Sequence, residues 1–268
     1  MLSPVATPGQ CIDVPGVPNL RDLGGYPTRD GGRIRSGLLY RSTELGKLSP
    51  DDPAFARLGI RSVYVMRTAA ERAAEPDRLP HGTELIVVDV LKDHKGAAPA
   101  ELQRVLSDPD AAGVLLGDGR AEELFVNAYR EIIGLGSALD AYRLFFSDLA
   151  QNRTPALFHC TTGKDRTGWA AAALLMLCDV SDELVMRDFL LSTDYLMAAY
   201  QPVLDQFRAI GGDPALLQPV IGVHESYLRT ALHEMRSRYG TIEGYFEQGL
   251  GLEPDVQSAL RVAFVERD

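Results

Sequence analysis

The chain carries at residues 155–169 the stretch PALFHCTTGKDRTGW, in which five residues separate Cys160 from Arg166. Its apolar start predicts a short strand, its polar middle a loop, and its alanine-rich continuation from Thr167 a helix. A loop of this length can curl around a tetrahedral anion with successive backbone N–H groups pointing inward, and the N-terminus of the following helix adds positive potential. The stretch therefore predicts a binding loop for a phosphate dianion.

The side chains of this loop fit a nucleophile surrounded by phosphate ligands. We expect the amide dipoles and the helix N-terminus to keep the Cys160 thiol ionised near neutral pH, so that its sulfur is nucleophilic. Arg166 offers a planar fork for two phosphate oxygens, and Lys164 adds a compact positive charge. The expected phosphate-binding residues, which contribute backbone N–H groups or side chains, are Thr161, Thr162, Gly163, Lys164, Arg166 and Thr167. His159 is expected to orient the loop by hydrogen bonding.

Two other interpretations compete for the same stretch. A cysteine at the end of a buried strand is often an inert core residue, but the strand before it, Gly163 and Lys164 within the loop and the helix after it favour phosphate binding. A nucleotide-binding Walker loop needs glycine at position 158 and serine or threonine at position 165. The chain has Phe158 and Asp165 at these positions, which excludes that alternative.

Residues 159–168 read HCTTGKDRTG, which resembles the signature of the cysteine-dependent C-x5-R protein tyrosine phosphatases. The form is that of the bacterial atypical tyrosine and lipid phosphatase family. Three further segments resemble this family in the same order along the chain: PNLRDLGG at 18–25, GLLYRSTEL at 37–45 and YLRTALHEMRSRYGTIEGYF at 227–246. The resemblance therefore covers most of the chain.

The resemblance implies a phosphomonoester hydrolase, specifically a protein tyrosine phosphatase that works through a phosphocysteine intermediate and needs no cofactor. It also implies action on phosphoinositides and on phosphoserine or phosphothreonine, so the expected partner is a phosphotyrosyl protein or a phosphoinositide. Lys164 could pair with a second phosphate of such a lipid headgroup. The family commonly has alanine where Thr162 stands and Asp-Leu-Arg where residues 65–67 read VMR, and these departures concern pocket shape and substrate.

Hydrolysis through a phosphocysteine needs a carboxyl group that first protonates the departing oxygen and then activates water. Asp165 lies beside Arg166 in the loop, and the family form GKDR has an aspartate at this place, so Asp165 is the preferred acid. Its alternative role is a salt bridge that shapes the loop. Asp93 is the alternative acid, because a movable loop after the apolar run 84–91 could deliver its carboxyl group. Asp93 is preferred over Asp89 because it lies past the end of that strand.

Strand-like runs at 60–66 and 84–91 alternate with helix-like runs, which predicts an α/β fold. The run 84–91 is continuously apolar, as in strands that are buried on both faces of a parallel sheet. The expected architecture is one central, mostly parallel sheet flanked by helices, tyrosine-phosphatase-like by resemblance, with a helix-rich C-terminal half. Residues 1–268 are expected to form a single phosphatase domain, in which 92–119 is a lid insertion with a weak helix near 99–106.

The spacing of apolar residues, together with Gly and Pro breaks, predicts the other helices. They are expected at 50–58, 68–75, 122–133, 137–150, 181–191, 194–210, 224–239 and 253–265. The helix at 68–75 should begin with a capping box formed by Thr68 and Glu71, in which each side chain bonds the other residue's backbone N–H.

Two polar pairs near the N-terminus allow two interpretations. Arg21 with Asp22, and Arg41 with Ser42, either line the pocket or pin their segments to the core through buried ion pairs. The sequence favours neither interpretation.

Composition narrows the class of protein further. A net charge of -10 opposes binding to nucleic acid and to anionic membranes. The three cysteines cannot form a closed disulfide framework, which fits a reducing compartment. The N-terminus lacks a signal-peptide pattern, and no apolar run reaches the roughly 20 residues that cross a bilayer, so we expect a cytoplasmic protein without membrane-spanning segments. The five histidines show no metal-ligand spacing, so no metal site is expected.

Two other functional classes share the logic of this loop. The first is a catalytically silent, phosphate-recognising binding module, which would be free to lose the thiol, the arginine or the acid. The second is an arsenate reductase or sulfur transferase, which would need a partner thiol near the motif. The chain keeps the thiol, the arginine and a candidate acid, and it has no partner thiol near the motif. The hydrolase is therefore preferred.

Overall fold

The computed structural model describes residues 7–94, 105 and 108–267. Five strands form the main sheet in the order β1-β3-β6-β4-β5, and a small second sheet pairs β2 with β7. The strands are β1 (Arg21–Asp22), β2 (Arg33–Ile34), β3 (Leu39–Ser42), β4 (Ser62–Val65), β5 (Glu84–Val87), β6 (Ala156–His159) and β7 (Val265–Glu266). β1 pairs antiparallel with β3, whereas β3, β6, β4 and β5 run parallel, so the predicted mostly parallel sheet is confirmed.

Helices flank this sheet and dominate the C-terminal half. They are α1 (Pro53–Ala56), α2 (Ala69–Ala74), α3 (Pro109–Leu116), α4 (Arg120–Gly134), α5 (Gly136–Ala150), α6 (Arg166–Leu177), α7 (Asp182–Ala199), α8 (Gln201–Ala209), α9 (Gln218–Ile221), α10 (Glu225–Tyr239), α11 (Ile242–Gly244) and α12 (Pro254–Phe264). A 3-10 turn lies at Pro214–Leu217 and a π turn at Tyr245–Gly249. In the described ranges, no helix combines the length and the apolar character needed to span a bilayer.

Successive side chains of the central strands β4 and β6 point to opposite faces of the sheet, so the core is divided between the two faces. Tyr64 and Phe158 point to the face covered by α5 and α6, where they join a large cluster that includes Trp169. Val63 and Leu157 point to the opposite face, which is covered by α1 and the N-terminal segment. Both faces of β4 and β6 are therefore buried.

The register of the sheet fixes where the site lies. Ser42 at the end of β3 and Val65 at the end of β4 are both aligned with His159 at the end of β6. The three chain segments that follow these strands therefore leave the sheet side by side at its carboxyl edge, where ligands bind in open α/β sheets. Cys160 occupies the middle position.

The prediction that 84–91 is buried on both faces is wrong. β5 ends at Val87 and lies at the edge of the sheet, with Leu85 44% and Val87 42% exposed. A continuous apolar run indicates a strand, but it does not say whether that strand has a neighbour on each side.

The predicted break between 191 and 194 is also wrong, because α7 runs without interruption from Asp182 to Ala199. Ser192 in the middle of this helix is buried, and its hydroxyl accepts a hydrogen bond from Arg21. The break comes instead at Tyr200, just before Pro202, which occupies the first turn of α8.

The expected lid region at 92–119 is described only in part, and most of the predicted helix at 99–106 lies outside the described residues. The described part contains α3, whose N-terminus is capped by Asp108. α3 packs in a third hydrophobic cluster, separate from the two that cover the sheet. Members of this cluster include Ala112, Leu116, Ala121, Leu196, Leu204, Phe207, Leu217 and Ile221.

A buried ion network joins β1, β3 and α7 behind the carboxyl edge. Asp188 of α7 accepts from Arg21 Nε at 3.0 Å and from Arg41 Nη1 at 2.6 Å, and all three residues are buried. Burial disfavours ionised Asp188, but the two arginines outweigh it and lower the pKa of Asp188. Burial and the charge of Arg21 lower the pKa of Arg41 to about 10. Arg21 and Arg41 therefore follow the ion-pair interpretation, whereas Asp22 orders a turn by accepting from the Gly24 and Gly37 N–H groups.

We expect Asp188→Asn to lower the free energy of unfolding by about 3–5 kcal/mol, because it leaves two buried guanidinium groups without their counter-ion. Asp182→Asn is the matched control at the exposed start of the same helix, where the carboxylate pairs with Arg29 and Arg236. Its loss should be far smaller, since water screens exposed pairs. Urea unfolding of both variants measures the difference, and equal losses would contradict this account.

Candidate active site

The loop of residues 160–166, which we call the 160–166 loop, joins the end of β6 to the start of α6. Three consecutive carbonyl groups of the loop accept hydrogen bonds from donors in the body of the protein. Glu44 N donates to Thr161 O at 3.0 Å, Asn19 Nδ2 to Thr162 O at 3.1 Å, and Arg41 Nη2 to Gly163 O at 2.8 Å. All three carbonyl groups therefore point toward the body of the protein.

The backbone N–H groups of the loop have no such partners. Within the described part of the chain, none of the N–H groups of residues 161–165 donates to a backbone or side-chain acceptor. A run of N–H groups that faces one side while the carbonyls are bonded on the other forms a concave site for an anion. The N–H groups that follow Cys160, which is 1% exposed, are thus without partners among the described residues, as the expected anion-binding loop would require.

Gly163 is required by this packing. Its φ angle is +68°, and a Cβ placed on it would lie 2.0 Å from the carbonyl oxygen of Ser42 at the end of β3. Any side chain would push the loop away from β3 and break the hydrogen bond from Arg41.

Arg166 forms an ion pair that the sequence did not predict. Its Nη1 and Nη2 atoms donate to Glu71 Oε2 and Oε1 at 2.8 and 2.7 Å, and Nη1 also donates to Met66 O at 3.2 Å. This bidentate pair fixes the plane of the guanidinium beside the loop. In the described residues Nε–H has no protein acceptor, so this edge of the fork is available to an anion.

Glu71 itself is held from two sides. The predicted capping box with Thr68 at the start of α2 is confirmed, and Thr161 of the loop donates to Glu71 Oε1 at 2.6 Å. Burial opposes ionisation of Glu71, but the hydrogen bonds and charge of Arg166 outweigh it and hold its pKa well below the usual range. Burial likewise opposes the charge of Arg166, whereas negative charge at Cys160 and Glu71 raises the pKa of Arg166. The Glu71–Arg166 pair is therefore ionised at neutral pH.

Asp165 and Lys164 face α4. Asp165 Oδ1 accepts from the Tyr129 hydroxyl at 2.8 Å and from Lys164 Nζ at 3.1 Å. Lys164 is only 2% exposed, and its Nζ lies 4.2 Å from the ring centroid of Phe125. The ammonium group is therefore enclosed between a carboxylate and an aromatic face. Tyr129 is fully buried and contacts the loop through this hydrogen bond.

The other two aspartates take different positions. Asp93 is exposed, and its Oδ2 accepts from Ser137 N at 2.8 Å in the first turn of α5. Asp89 lies 3.8 Å from Arg72, and its buried Oδ1 has no hydrogen-bond partner in the described residues. Burial raises the pKa of Asp89, and Arg72 opposes that shift.

Two further side chains, those of His159 and Thr167, adjoin the loop, whereas the Cys178 thiol lies away from it. His159 Nδ1 lies 2.8 Å from Cys160 O, so the expected hydrogen bond to the loop is present, and burial lowers the pKa of His159. Thr167 is fully buried, and its hydroxyl has no partner among the described residues. Burial raises the pKa of Cys178, at the far end of α6, to about 12, which makes it an inert core thiol. In the described ranges, no three His, Cys, Asp or Glu side chains come together as a metal site would require.

A mostly parallel sheet flanked by helices, with a cysteine directly after its central strand and an arginine at the start of the next helix, is consistent with a tyrosine-phosphatase-like fold. The family model described as the tyrosine phosphatase family matches residues 12–266, so the chain belongs to that family. The resemblance recognised in the sequence is confirmed.

Three curated proteins are similar to this chain over most of its length. A protein of Cupriavidus necator, whose name assigns it provisionally to the tyrosine-protein phosphatases, is 27% identical and covers 88% of this chain and 83% of its own. The triple specificity protein phosphatase PtpB of Mycobacterium tuberculosis is 29% identical over 87% of this chain and 91% of its own. A tyrosine-protein phosphatase of Nostoc commune is 29% identical over 84% and 73%.

The ionised Glu71 predicts a pH-dependent contribution to stability. Because the folded pKa of Glu71 is lowered, its contribution is fully present above the ordinary glutamate pKa of about 4.3 and is lost as pH falls through the folded value. Glu71→Gln should therefore lower the free energy of unfolding by about 1.5–3 kcal/mol at pH 7. The gap between variant and wild type should narrow below about pH 4.

Urea titrations of wild type and Glu71→Gln at several pH values test this dependence. Glu84→Gln serves as the control, since Glu84 pairs with Arg153 in an exposed ion pair. A gap for Glu71→Gln that stays constant down to pH 3 would show that the charge of Glu71 does not stabilise the fold.

Proposed function

We propose that the chain is a protein tyrosine phosphatase that hydrolyses phosphotyrosine through a phosphocysteine formed on Cys160. The observation that carries this proposal is the 160–166 loop, in which three consecutive carbonyls are bonded from behind and the N–H groups are left to face an anion. Membership of the tyrosine phosphatase family supports it. The name of the Mycobacterium tuberculosis relative, a triple specificity protein phosphatase, supports a substrate range wider than phosphotyrosine alone.

In the first step the Cys160 thiolate attacks phosphorus in line with the departing oxygen. The S–P bond forms while the P–O bond to the tyrosyl group breaks, and the electron pair of that bond goes to the leaving oxygen. The N–H groups of Thr161, Thr162, Gly163 and Lys164, with the Nε–H edge of the Arg166 guanidinium, hold the equatorial phosphate oxygens. Asp165 gives its proton to the leaving oxygen. Catalysis in this scheme is positioning and electrostatic stabilisation.

In the second step Asp165, now a carboxylate, takes a proton from a water molecule as the water oxygen attacks phosphorus. The P–S bond breaks and its electron pair returns to sulfur, so the thiolate is regenerated and inorganic phosphate leaves. Thr167 is proposed to donate a hydrogen bond to the leaving sulfur. Its fully buried hydroxyl, which has no partner among the described residues, supports this role.

Asp165 is the proposed acid, and Asp93 is the alternative. The position of Asp165 within the loop supports this choice, since its carboxyl group is 21% exposed beside Lys164. Asp93 is engaged with the N-terminus of α5 and would have to leave Ser137 to act.

Phosphoinositide hydrolysis remains a prediction from the resemblance. The idea that Lys164 pairs with a second headgroup phosphate requires its ammonium group to leave both Asp165 and the ring of Phe125. We therefore place phosphotyrosine first among the proposed substrates.

Hydrolysis of p-nitrophenyl phosphate tests the proposal directly. Cys160→Ser should lower the rate by at least about 10³-fold, because the nucleophile is lost. Cys178→Ala is the matched control at the other end of α6 and should keep the rate. Acid-quenched wild type should carry one phosphoryl group on Cys160, and chelators should not affect turnover. Binding of vanadate without hydrolysis of any aryl phosphate would instead support the silent binding module.

The pH dependence of kcat/KM identifies the acid. In wild type, kcat/KM should fall at alkaline pH as the acid loses its proton, and we call this decrease the alkaline limb. Asp165→Asn should remove the alkaline limb and lower the rate by about 10²–10⁴-fold, since the leaving oxygen loses its proton donor. Asp93→Asn should keep that limb. The reverse pattern, with the limb lost only in Asp93→Asn, would transfer the acid role to Asp93.

A further inference from the structure

Helix α4 presents two aromatic side chains, one turn apart, to two adjacent residues of the 160–166 loop. Tyr129 donates its hydroxyl hydrogen bond to Asp165 Oδ1 at 2.8 Å. Phe125 covers Lys164, whose Nζ lies 4.2 Å from the ring centroid and 3.1 Å from the same Asp165 oxygen. One oxygen of the carboxyl group therefore has two donors, whereas Oδ2 has none among the described residues.

The packing of Tyr129 fixes the position of its hydroxyl. Its ring lies 5.7 Å from that of Tyr227 on α10 and 6.0 Å from that of Phe189 on α7, measured between centroids. Phe125 stacks on the ring of Tyr227, with 5.2 Å between the centroids. Tyr129 is fully buried, so three helices hold this ring and its hydroxyl has little freedom to move.

Tyr129 is a donor throughout the pH range in which the chain would work. Burial raises the pKa of Tyr129 well above its ordinary value, and the adjacent charge of Asp165 raises it further. The phenol therefore keeps its proton and donates to Asp165, whichever protonation state the carboxyl group has.

We propose that Tyr129 is a positioning residue for the general acid. It fixes the Asp165 carboxyl group so that Oδ1 remains a hydrogen-bond acceptor and Oδ2 carries the proton that is exchanged with the substrate. The inference rests on the proposed function, in which Asp165 is the acid, and adds the group that orients it. It also assigns the exchanging proton to one named oxygen.

The hydroxyl of Tyr129 acts on both proton transfers. When Oδ2–H gives its proton to the leaving oxygen, negative charge develops on the carboxylate, and the bonds from Tyr129 and Lys164 to Oδ1 stabilise that charge. When water later returns a proton to Oδ2, the same two bonds keep that oxygen turned toward the site. Other charged or titratable groups that act on Asp165 or Tyr129 are Cys160, Arg166, Tyr142, Tyr227 and Arg41.

Tyr129→Phe removes the hydroxyl and keeps the ring. We expect kcat/KM for aryl phosphates with poor leaving groups, such as phenyl phosphate, to fall about ten- to hundredfold, the value of one hydrogen bond to a charged group. Aryl phosphates with good leaving groups should change much less, because they need little proton transfer. The alkaline limb of the profile should move to higher pH, since the ionised carboxylate loses a donor.

Tyr227→Phe is the matched control. It removes a hydroxyl from the same aromatic cluster, where that hydroxyl lies 3.5 Å from Pro219 O. Both the dependence on the leaving group and the alkaline limb should stay as in wild type. The double variant of Tyr129→Phe with Asp165→Asn should be no slower than Asp165→Asn alone, because the hydroxyl acts through that carboxyl group.

A second substitution, Tyr129→3-fluorotyrosine, keeps the shape of the side chain in case phenylalanine impairs folding. Its more acidic hydroxyl is a stronger donor and should move the alkaline limb to lower pH. The role of Tyr129 would be overturned, and the proposed function kept, by one combination of results. In that combination both proteins substituted at Tyr129 keep the wild-type alkaline limb and leaving-group dependence, whereas Asp165→Asn loses the limb. A limb that persists in Asp165→Asn, or a wild type without hydrolysis, would overturn the proposed function and the inference with it.

Discussion

The carbonyl groups of residues 161–163 need hydrogen-bond donors from the body of the protein, and this requirement ties several distant segments to the 160–166 loop. A cradle of inward-facing N–H groups exists only if the carbonyls on the other side of each peptide plane find donors away from the anion. Asn19 and Arg41 supply two of these donors from buried positions. Arg41 can be buried because it pairs with the carboxylate of Asp188 on α7, which also pairs with Arg21. The N-terminal segment, β1, β3 and α7 are therefore parts of the loop's support.

The order of the parallel strands supplies the second support. Since β6 lies between β3 and β4, the loop after β6 has Ser42 on one side and the start of α2 on the other. The first contact excludes any side chain at Gly163, and the second brings Glu71 against Arg166. Both contacts join residues that are distant in sequence, and both follow from a register set by the hydrophobic pattern of the strands.

Local patterns in the sequence predicted the structural features that depend only on residues close together in the chain. The strand before Cys160, the helix after it, the capping box of Thr68 and Glu71, and α4, α5 and α10 all follow from short-range spacing and end signals. The edge position of β5 was missed because an apolar run does not encode strand order. The partners of Arg166, Asp188 and Asp165 were missed because each ion pair or hydrogen bond joins segments brought together only by the tertiary fold. Tyr129 at helical spacing on an apolar face gave no local sign of its contact with the loop.

The distribution of charge explains how a strongly acidic chain can offer a site to an anion. Lys164 and Arg166 add positive charge at the loop, but Asp165 and Glu71 match them at distances near 3 Å. The surplus lies behind the loop, where Arg21 and Arg41 share the single carboxylate of Asp188. Burial strengthens the electric field of this excess positive charge. Arg41 is in direct contact with the loop, because it donates a hydrogen bond to the carbonyl of Gly163. Oriented peptide dipoles and a buried cation thus give the loop a locally positive potential, while the net charge of -10 remains on the chain as a whole.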